Sequence, residues 1–330
     1  MSSAAPGTRR ERLILYQLSA IAYIGCASIL LFTVARWANY ENAPTLALYG
    51  VTPWLYLPVY AVAGFAFRAR RWVLLALSIL LVMVHVVTIW PDIKPPDRIS
   101  AAVKNSPRLR VFSSNLYFSN PDVSGIMEEV RENDPDIAVF HELTRALRTK
   151  LVGDPALAGY VHRVVSEDSD TAIFSRLPFE SNEIWYEPSR PMARARVSTA
   201  IGSIEIVAVH TIAPVNDPAI RRWRQMLDVL HDLAEQRTTP LLLIGDFKAT
   251  VYHPRFEDLL DAGLTDAHSA RGRGLTGTWP RGRMFPPFLR IDHALSSTEF
   301  VPVKASYGHG KGSDHRPIIV EYALVGDGST

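Results

Sequence analysis

The sequence predicts an α/β protein, a two-sheet α/β sandwich preceded by three N-terminal transmembrane helices. Three observations carry this. The apolar residues, 48% of a 330-residue chain, crowd into three runs before residue 91. From residue 108 onward short strand-like stretches alternate with a few helix-like ones, a mixture that suits two stacked sheets with helices outside better than a singly wound parallel sheet. Finally, the strand-like stretches end on polar, titratable residues, as an active site on the rim of a sheet does.

The apolar runs come first. Leu13 to Ala35 and Leu46 to Phe67 contain no charged residue, and Trp72 to Trp90 contains only His85 as a titratable group. Each is about long enough to cross ~30 Å of hydrocarbon at ~1.5 Å per residue. A signal peptide followed by buried core helices is the competing explanation. The first run is too long for a signal h-region and lacks a small-x-small cleavage site. The second span is the least regular, since Gly50, Pro53, Pro58 and Gly64 would bend it or make it re-entrant.

Arginine and lysine set the expected orientation. Arg9, Arg10, Arg12, Arg68, Arg70 and Arg71 lie on one side, against Arg36, Lys94, Arg98 and Lys104 on the other. This predicts a cytoplasmic N-terminus (1–12), a membrane domain (13–90) in the cell (plasma) membrane, and everything after Trp90 extracytoplasmic. The single cysteine, Cys26, lies inside the first span and forms no intramolecular disulfide. A net charge of +2 gives no global pull toward nucleic acid, so an anionic substrate must be recognised locally.

Residues 91–107, with Pro91, Pro95, Pro96 and Pro107, read as a short extended tether. The soluble domain is expected over 108–330. It opens with a strand at 109–114, an amphipathic helix at 122–132 and a strand at 136–141. Short strands follow at 161–165, 171–175, 194–200 and 203–210. A helix at 218–236 leads into the very apolar 241–244, and strands at 290–296 and 317–324 close the chain.

The tips of these strands carry Asn115, Glu142, His210, Asp246 and Asp292, and the stretch Gly312-Ser313-Asp314-His315-Arg316-Pro317 adds a carboxylate and an imidazole in one turn. Oxygen donors such as Asn115, Glu142 and Asp314 suit Mg²⁺ or Mn²⁺, whose remaining positions accept phosphate. Nothing has zinc spacing. Singly, each residue has an ordinary structural explanation as a strand-end cap, a turn residue or a half-buried histidine. Together they form a pattern that a fold would not keep unused.

These residues also arrive in a recognisable order. From about Arg108 to the end the chain resembles the endonuclease/exonuclease/phosphatase superfamily, the DNase I-like metal-dependent phosphohydrolases. The resemblance rests on Arg110 to Asn115, on Phe140-His141-Glu142, on Thr171 to Arg176 and on Val209-His210-Thr211. It continues through Leu243 to Phe247, Arg290 to His293 and Gly312 to Pro317. The three spans, with Gly245 to Thr250, Gly263 to Ala267 and Thr278-Trp279-Pro280, look most like its membrane-anchored VanJ-type branch.

What the resemblance implies is a divalent-metal phosphohydrolase. Glu142 and Asn115 would hold the cation with Asp314 contributing, Asp246 would orient and help deprotonate the attacking water, and His210 would donate to a non-bridging oxygen. His315, its tautomer fixed by Asp292, would bond the phosphate or act as acid/base. Lys248 stands where the family's Gly-Asp-x-Asn motif has asparagine, replacing a donor and acceptor by a charged donor. Lys248 would bind a substrate phosphate, pair with Asp246 and depress activity, or mark a chain that binds without hydrolysing.

For the substrate, Arg271, Arg273, Arg281 and Arg283 lie next to Met284, Phe285 and Phe288 shortly before Asp292, a mixture suited to a phosphate with an apolar tail. A membrane tether raises the effective concentration of lipid phosphates. The expected function is hydrolysis of a phosphate ester or pyrophosphate bond of a lipid or polyprenyl phosphate at the outer membrane face. The alternatives are a surface nuclease or phosphodiesterase, for which a long basic track is missing, and a non-catalytic phospholipid-binding membrane module.

Overall fold

The computed structural model describes residues 8–186 and 189–326 and divides into two compact units, residues 1–90 and 91–330. The first apolar run forms α1 (Arg9–Trp37), opened by a Thr8–Glu11 capping box. The second is broken into α2 (Ala43–Gly50), α3 (Thr52–Leu55) and α4 (Leu57–Arg68), with a proline in the first turn of each. The third forms α5 (Trp72–Ile93). Two of these helices, α1 and α5, are long and apolar enough to cross a membrane; a third span counts only if α2 and the stretch Thr52–Arg68 formed by α3 and α4, bent by 80° from it, are one.

In this first unit several polar groups, among them Thr33, Ser78 and His85, are buried beside apolar ones such as Phe32, Leu46 and Leu74, while many large apolar side chains are exposed. Thr33 Oγ1 and Tyr56 Oη lie 2.5 Å apart, and the Tyr56 ring stacks on His85 at 5.1 Å. Ile21, Ile24, Leu31, Val73 and Val87 are exposed. Buried polar groups of this kind need partners, which these hydroxyl and ring contacts supply.

The tether is shorter and more structured than the extended segment expected at 91–107. Helix α5 continues through Pro91 to Ile93, and α6 (Ala101–Asn105) follows, capped by Ser100. Asp92 is buried and pairs with Arg290 at 3.2 Å, while Tyr252 Oη donates to it at 2.5 Å. A buried carboxylate held by such partners fixes the start of the second unit.

That unit is a sandwich of two six-stranded sheets. In chain order, β1 (Arg108–Asn115), α7 (Ser124–Asn133), β2 (Ile137–His141), α8 (Arg145–Gly153), β3 (His162–Val165) and β4 (Ala172–Ser175) build most of the first half. β5 (Phe179–Trp185), β6 (Met192–Thr199), β7 (Gly202–His210), α9 (Asp217–Glu235) and β8 (Leu241–Asp246) come next. α10 (Pro254–Asp261), β9 (Thr265–Asp266), α11 (Ala267–Ala270), β10 (Asp292–Ser296), β11 (Phe300–Tyr307) and β12 (Ile318–Leu324) complete it. The sheet orders are β11-β12-β1-β2-β4-β3 and β5-β6-β7-β8-β10-β9.

Strand alternation explains the layers. Val111, Ile137, Val139 and Ile173 face the core between the sheets, with Ile206, Ile244, Ala294 and Val320. Their neighbours Phe112, Ala138, Phe140 and Phe174 face the other way, onto Ile126, Met127 and Val130 of α7 and Leu147 and Leu151 of α8. Helix α9, capped by Asn216, buries Trp223, Met226, Leu227 and Leu230.

β5, β11, α8 and α10 are absent from the sequence reading. The strands escape it because edge β5 is mostly exposed and β11 carries Pro302 and Lys304 at an irregular register. Central β1 and β2 run parallel in one sheet, β7 and β8 in the other, so Asn115 stands opposite His141 and His210 opposite Asp246. Asp292 pairs with Asp246 from the antiparallel β10. One edge of the sandwich thus receives the ends of five strands.

Candidate active site

Asn115 ties the two sheets together at that edge. Its amide Nδ2 donates to Glu142 Oε1 at 2.9 Å and to Asp246 Oδ2 at 3.0 Å, and lies 3.5 Å from His315 Nε2. Its Oδ1 accepts from the Tyr117 backbone N–H at 2.9 Å. The amide therefore aligns carboxylates from opposite sheets, and its oxygen is already engaged.

Glu142 and Lys248 lie just past the ends of β2 and β8 with left-handed φ of 61° and 49°. Non-glycine residues pay for this conformation, and such strain gathers at functional sites. Glu142 Oε2 accepts from Phe118 N–H at 3.0 Å, and Asp246 Oδ1 from Lys248 N–H at 3.0 Å. Both carboxylates are held by backbone as well as by side chains. Gly245, at φ 142°, leaves no room for a Cβ, which would collide with Val209 O and His141 Nε2.

The loop carrying Asp314 and His315 is braced from behind. Buried Glu129 on α7 accepts from His309 N–H at 2.8 Å and Gly310 N–H at 2.7 Å. Ser313 Oγ donates to Asn115 O at 2.7 Å and accepts from His315 N–H at 3.0 Å. His315 Nδ1 bonds Asp292 Oδ2 at 2.8 Å, which directs Nε2 toward Asp246 Oδ2, 3.8 Å away. Asp314 sits at the rim, its Oδ2 accepting from Trp279 Nε1 at 3.1 Å and its Oδ1 4.0 Å from His315 Nε2.

On the other side His210 Nδ1 bonds Asp170 Oδ2 at 2.9 Å, leaving Nε2 3.7 Å from Glu142 Oε1. Arg190 Nη1 lies 3.2 Å from the same imidazole and 3.7 Å from Asp170. A cavity of ≈ 390 Å³ opens here, lined by Phe118, Glu142, Asp170, Arg190, His210 and Lys248 among others. Asp170 and Arg190 are missing from the sequence reading, and Trp279 appears there only within the Thr278-Trp279-Pro280 stretch, with no role at the site. Asp170 sits just before β4 and had the same strand-edge signal as the other carboxylates, whereas Arg190 lies in an irregular segment with no such signal.

Charge balance decides the protonation states. Burial would raise the Asp246 carboxyl, but Lys248, His315 and His210 outweigh it and hold it far below the usual carboxylate range. Glu142 follows the same logic, with burial opposed by Lys248, the Asn115 hydrogen bond and His210, and ends below its ordinary value. Burial would lower Lys248, yet Asp246 and Glu142 keep it charged and above the ordinary lysine value. For His315, burial is overcome by Asp292 and Asp246 and the imidazole is raised, while His141, buried beside His210, is lowered to about 4.

The donor set fits a divalent cation. Glu142, His210 and Asp246 place one donor atom each within 4.8 Å of one another, as do Asp246, Asp292 and His315. A cationic group already lies among them, since Lys248 Nζ is 2.5 Å from Asp246 Oδ2 and 3.5 Å from Glu142 Oε1. All eight residues singled out in the sequence therefore lie on this edge. Asp314 stands outside the two donor groups, and Asn115 touches members of both through its amide nitrogen.

Residues 112–315 match the model of the Endonuclease/Exonuclease/phosphatase family. Among curated proteins, none is significantly similar to the chain. Among solved structures, D. rerio TDP2 complexed with single-strand DNA product is 18% identical, with TM-score 0.55 over 65% of this chain and 98% of that one. An endonuclease/exonuclease/phosphatase from Bacteroides vulgatus is 15% identical, with TM-score 0.54 over 66% and 99%. Another from Beutenbergia cavernae is 19% identical, with TM-score 0.50 over 66% and 72%.

Proposed function

Since the chain belongs to the Endonuclease/Exonuclease/phosphatase family, we propose that it is a membrane-anchored, Mg²⁺- or Mn²⁺-dependent phosphohydrolase that cleaves a phosphate ester or pyrophosphate bond of a lipid or polyprenyl phosphate at the outer membrane face. The observation that carries the reading is the convergence of Asn115, Glu142, His210, Asp246, Asp292 and His315 at one edge, in a chain that also holds two span-length apolar helices. Affiliation with the VanJ-type branch is part of the proposal.

Glu142 and Asp246 would hold the cation beside His210, whose Nε2 is 3.7 Å from Glu142 Oε1, with Asp314 contributing from the rim. A cation held there would supply Lewis-acid polarisation of a phosphoryl oxygen and offset developing charge. Asp246, between Lys248 and His315 and bonded to the Asn115 amide, would orient the attacking water and help take its proton. His315, raised and backed by Asp292, donates from Nε2 to a phosphoryl or leaving-group oxygen. Asp170 holds the His210 tautomer with Nε2 facing the cavity.

The lipid assignment draws on the loop rooted in the site. Arg281 N–H donates to Asp314 O at 2.7 Å, and beyond it Met284 and Phe285 are 87% and 63% exposed, next to Arg281 and Arg283. Cationic and apolar groups so placed match a phosphate with an apolar tail.

The test is phosphate release by the detergent-solubilised full chain, with and without Mg²⁺ or Mn²⁺, over polyprenyl pyrophosphate, phospholipids, a soluble diester and DNA. Metal-dependent release from a lipid, abolished in Glu142→Ala, is the expected result. Release from DNA alone would favour the nuclease. Silence across the panel, persisting in Lys248→Asn, would favour the binding module.

A further inference from the structure

The position of Lys248 carries a consequence for how the site loads. Its Nζ contacts Asp246 at 2.5 Å and Glu142 at 3.5 Å, the two carboxylates that together with His210 form a metal-capable group. We propose that Lys248 is a two-position cation, holding the metal's place between Glu142 and Asp246 in the free protein and yielding it when a phosphate-bearing ligand enters the adjoining cavity. The inference rests on the metal-dependent reading above and concerns how that same site is controlled.

Three features support it. Electrostatics forbids simple addition, because a divalent ion between these carboxylates would lie within a few ångströms of the ammonium in a buried setting where like charges are poorly screened. The lysine must move for the ion to enter.

The geometry gives it somewhere to go. Its backbone is fixed, since the Lys248 N–H is bonded to Asp246 Oδ1 at 3.0 Å, but its stem has four flexible carbons and its side chain lines the ≈ 390 Å³ cavity. Arg190, His210 and Thr211 line the same cavity. An ammonium leaving the carboxylates therefore reaches a space where a phosphate oxygen can replace them as its partner.

Linkage supplies the third feature. If metal entry requires the lysine to leave, and phosphate stabilises the lysine in its departed position, then each ligand must tighten the other through this one side chain. A free protein would bind the ion weakly and a phosphate-loaded one firmly. An apolar or neutral side chain at position 248 would remove both the competition and this share of the coupling.

The test is Mn²⁺ affinity, read by electron paramagnetic resonance of the free ion, for the full chain in detergent with and without methylphosphonate as the anionic probe. Wild type, Lys248→Met and Glu142→Ala are compared, with thermal melting to establish folding, and Lys248→Gln serves if the methionine variant does not fold. Without probe, Lys248→Met should bind Mn²⁺ about tenfold more tightly than wild type or better, roughly 1.4 kcal/mol. The probe should tighten wild type about tenfold more than it tightens Lys248→Met. Equal affinities without probe, or equal gains with it, would overturn the two-position role while leaving the metal-dependent reading intact. Absence of Mn²⁺ binding in both wild type and Lys248→Met would overturn both.

Discussion

Replacing Arg290 by methionine should unfold the second unit's buried charge network and, with it, the strand that carries Asp292. The guanidinium is 4% exposed and contacts Asp266 at 2.7 Å and Asp92 at 3.2 Å, both 2% exposed, and it also donates to Gly274 O at 2.7 Å. Removing it leaves Asp92 with Tyr252 and Ser269, and Asp266 with His293, but neither with a full opposite charge outside a histidine. Breaking a buried pair in this way costs about 3–5 kcal/mol. For a domain of this size each kcal/mol moves the midpoint by about 2–4 °C, so thermal melting of the detergent-solubilised chain should fall by roughly 6–20 °C. Arg290→Met, Asp92→Asn combined should lose less than the sum of the two singles, because they share one network. A melting point within about 2 °C of wild type for Arg290→Met would refute the network's structural role.

The remaining predictions concern the site more directly. Asp292→Asn should lower kcat by about 10²–10⁴ with KM little changed, and should move the alkaline limb of the pH profile to lower pH, since Asp292 raises His315; an unmoved limb would dissociate His315 from that titration. Gly245→Ala, at φ 142° with Val209 O and His141 in the way, should destabilise by about 2–5 kcal/mol in denaturant melts. Acid sensitivity follows from Asp266 and Asp170, where burial is outweighed by Arg290 and His293 in one case and by His210 and Arg190 in the other, leaving both carboxyls depressed. Their stabilisation is complete above about pH 4, the ordinary aspartate value, and is lost as pH falls through the folded values; a stability that rises below pH 4 would contradict this.

Much of the sandwich is legible in the sequence because its central strands are buried on both sides. Leu241 to Ile244 and Ile137 to Phe140 can be little else, and the turn and cap residues around them are local signals. Edge strand β5, a run of exposed polar residues without alternation, and β11, interrupted by Pro302, escape because what makes them strands is a neighbour rather than a pattern. The tether 91–107 reads as free chain from its prolines, yet Asp92 is locked by Arg290, almost two hundred residues away in sequence.

The site divides the same way. Its residue types are written at strand tips, where period and burial identify the strand and a polar residue marks its end. That much the sequence determines by itself, along with the apolar helices and the lysine that stands in place of asparagine. Which carboxylate faces which cation is settled only by folding. Asn115 bridges Glu142 and Asp246, Asp170 orients His210, and Lys248 lies between two carboxylates because parallel strand pairs in two different sheets end at one edge. Hydrogen bonds and Coulomb interactions act over a few ångströms, and only the tertiary structure brings residues so distant in the chain within that range.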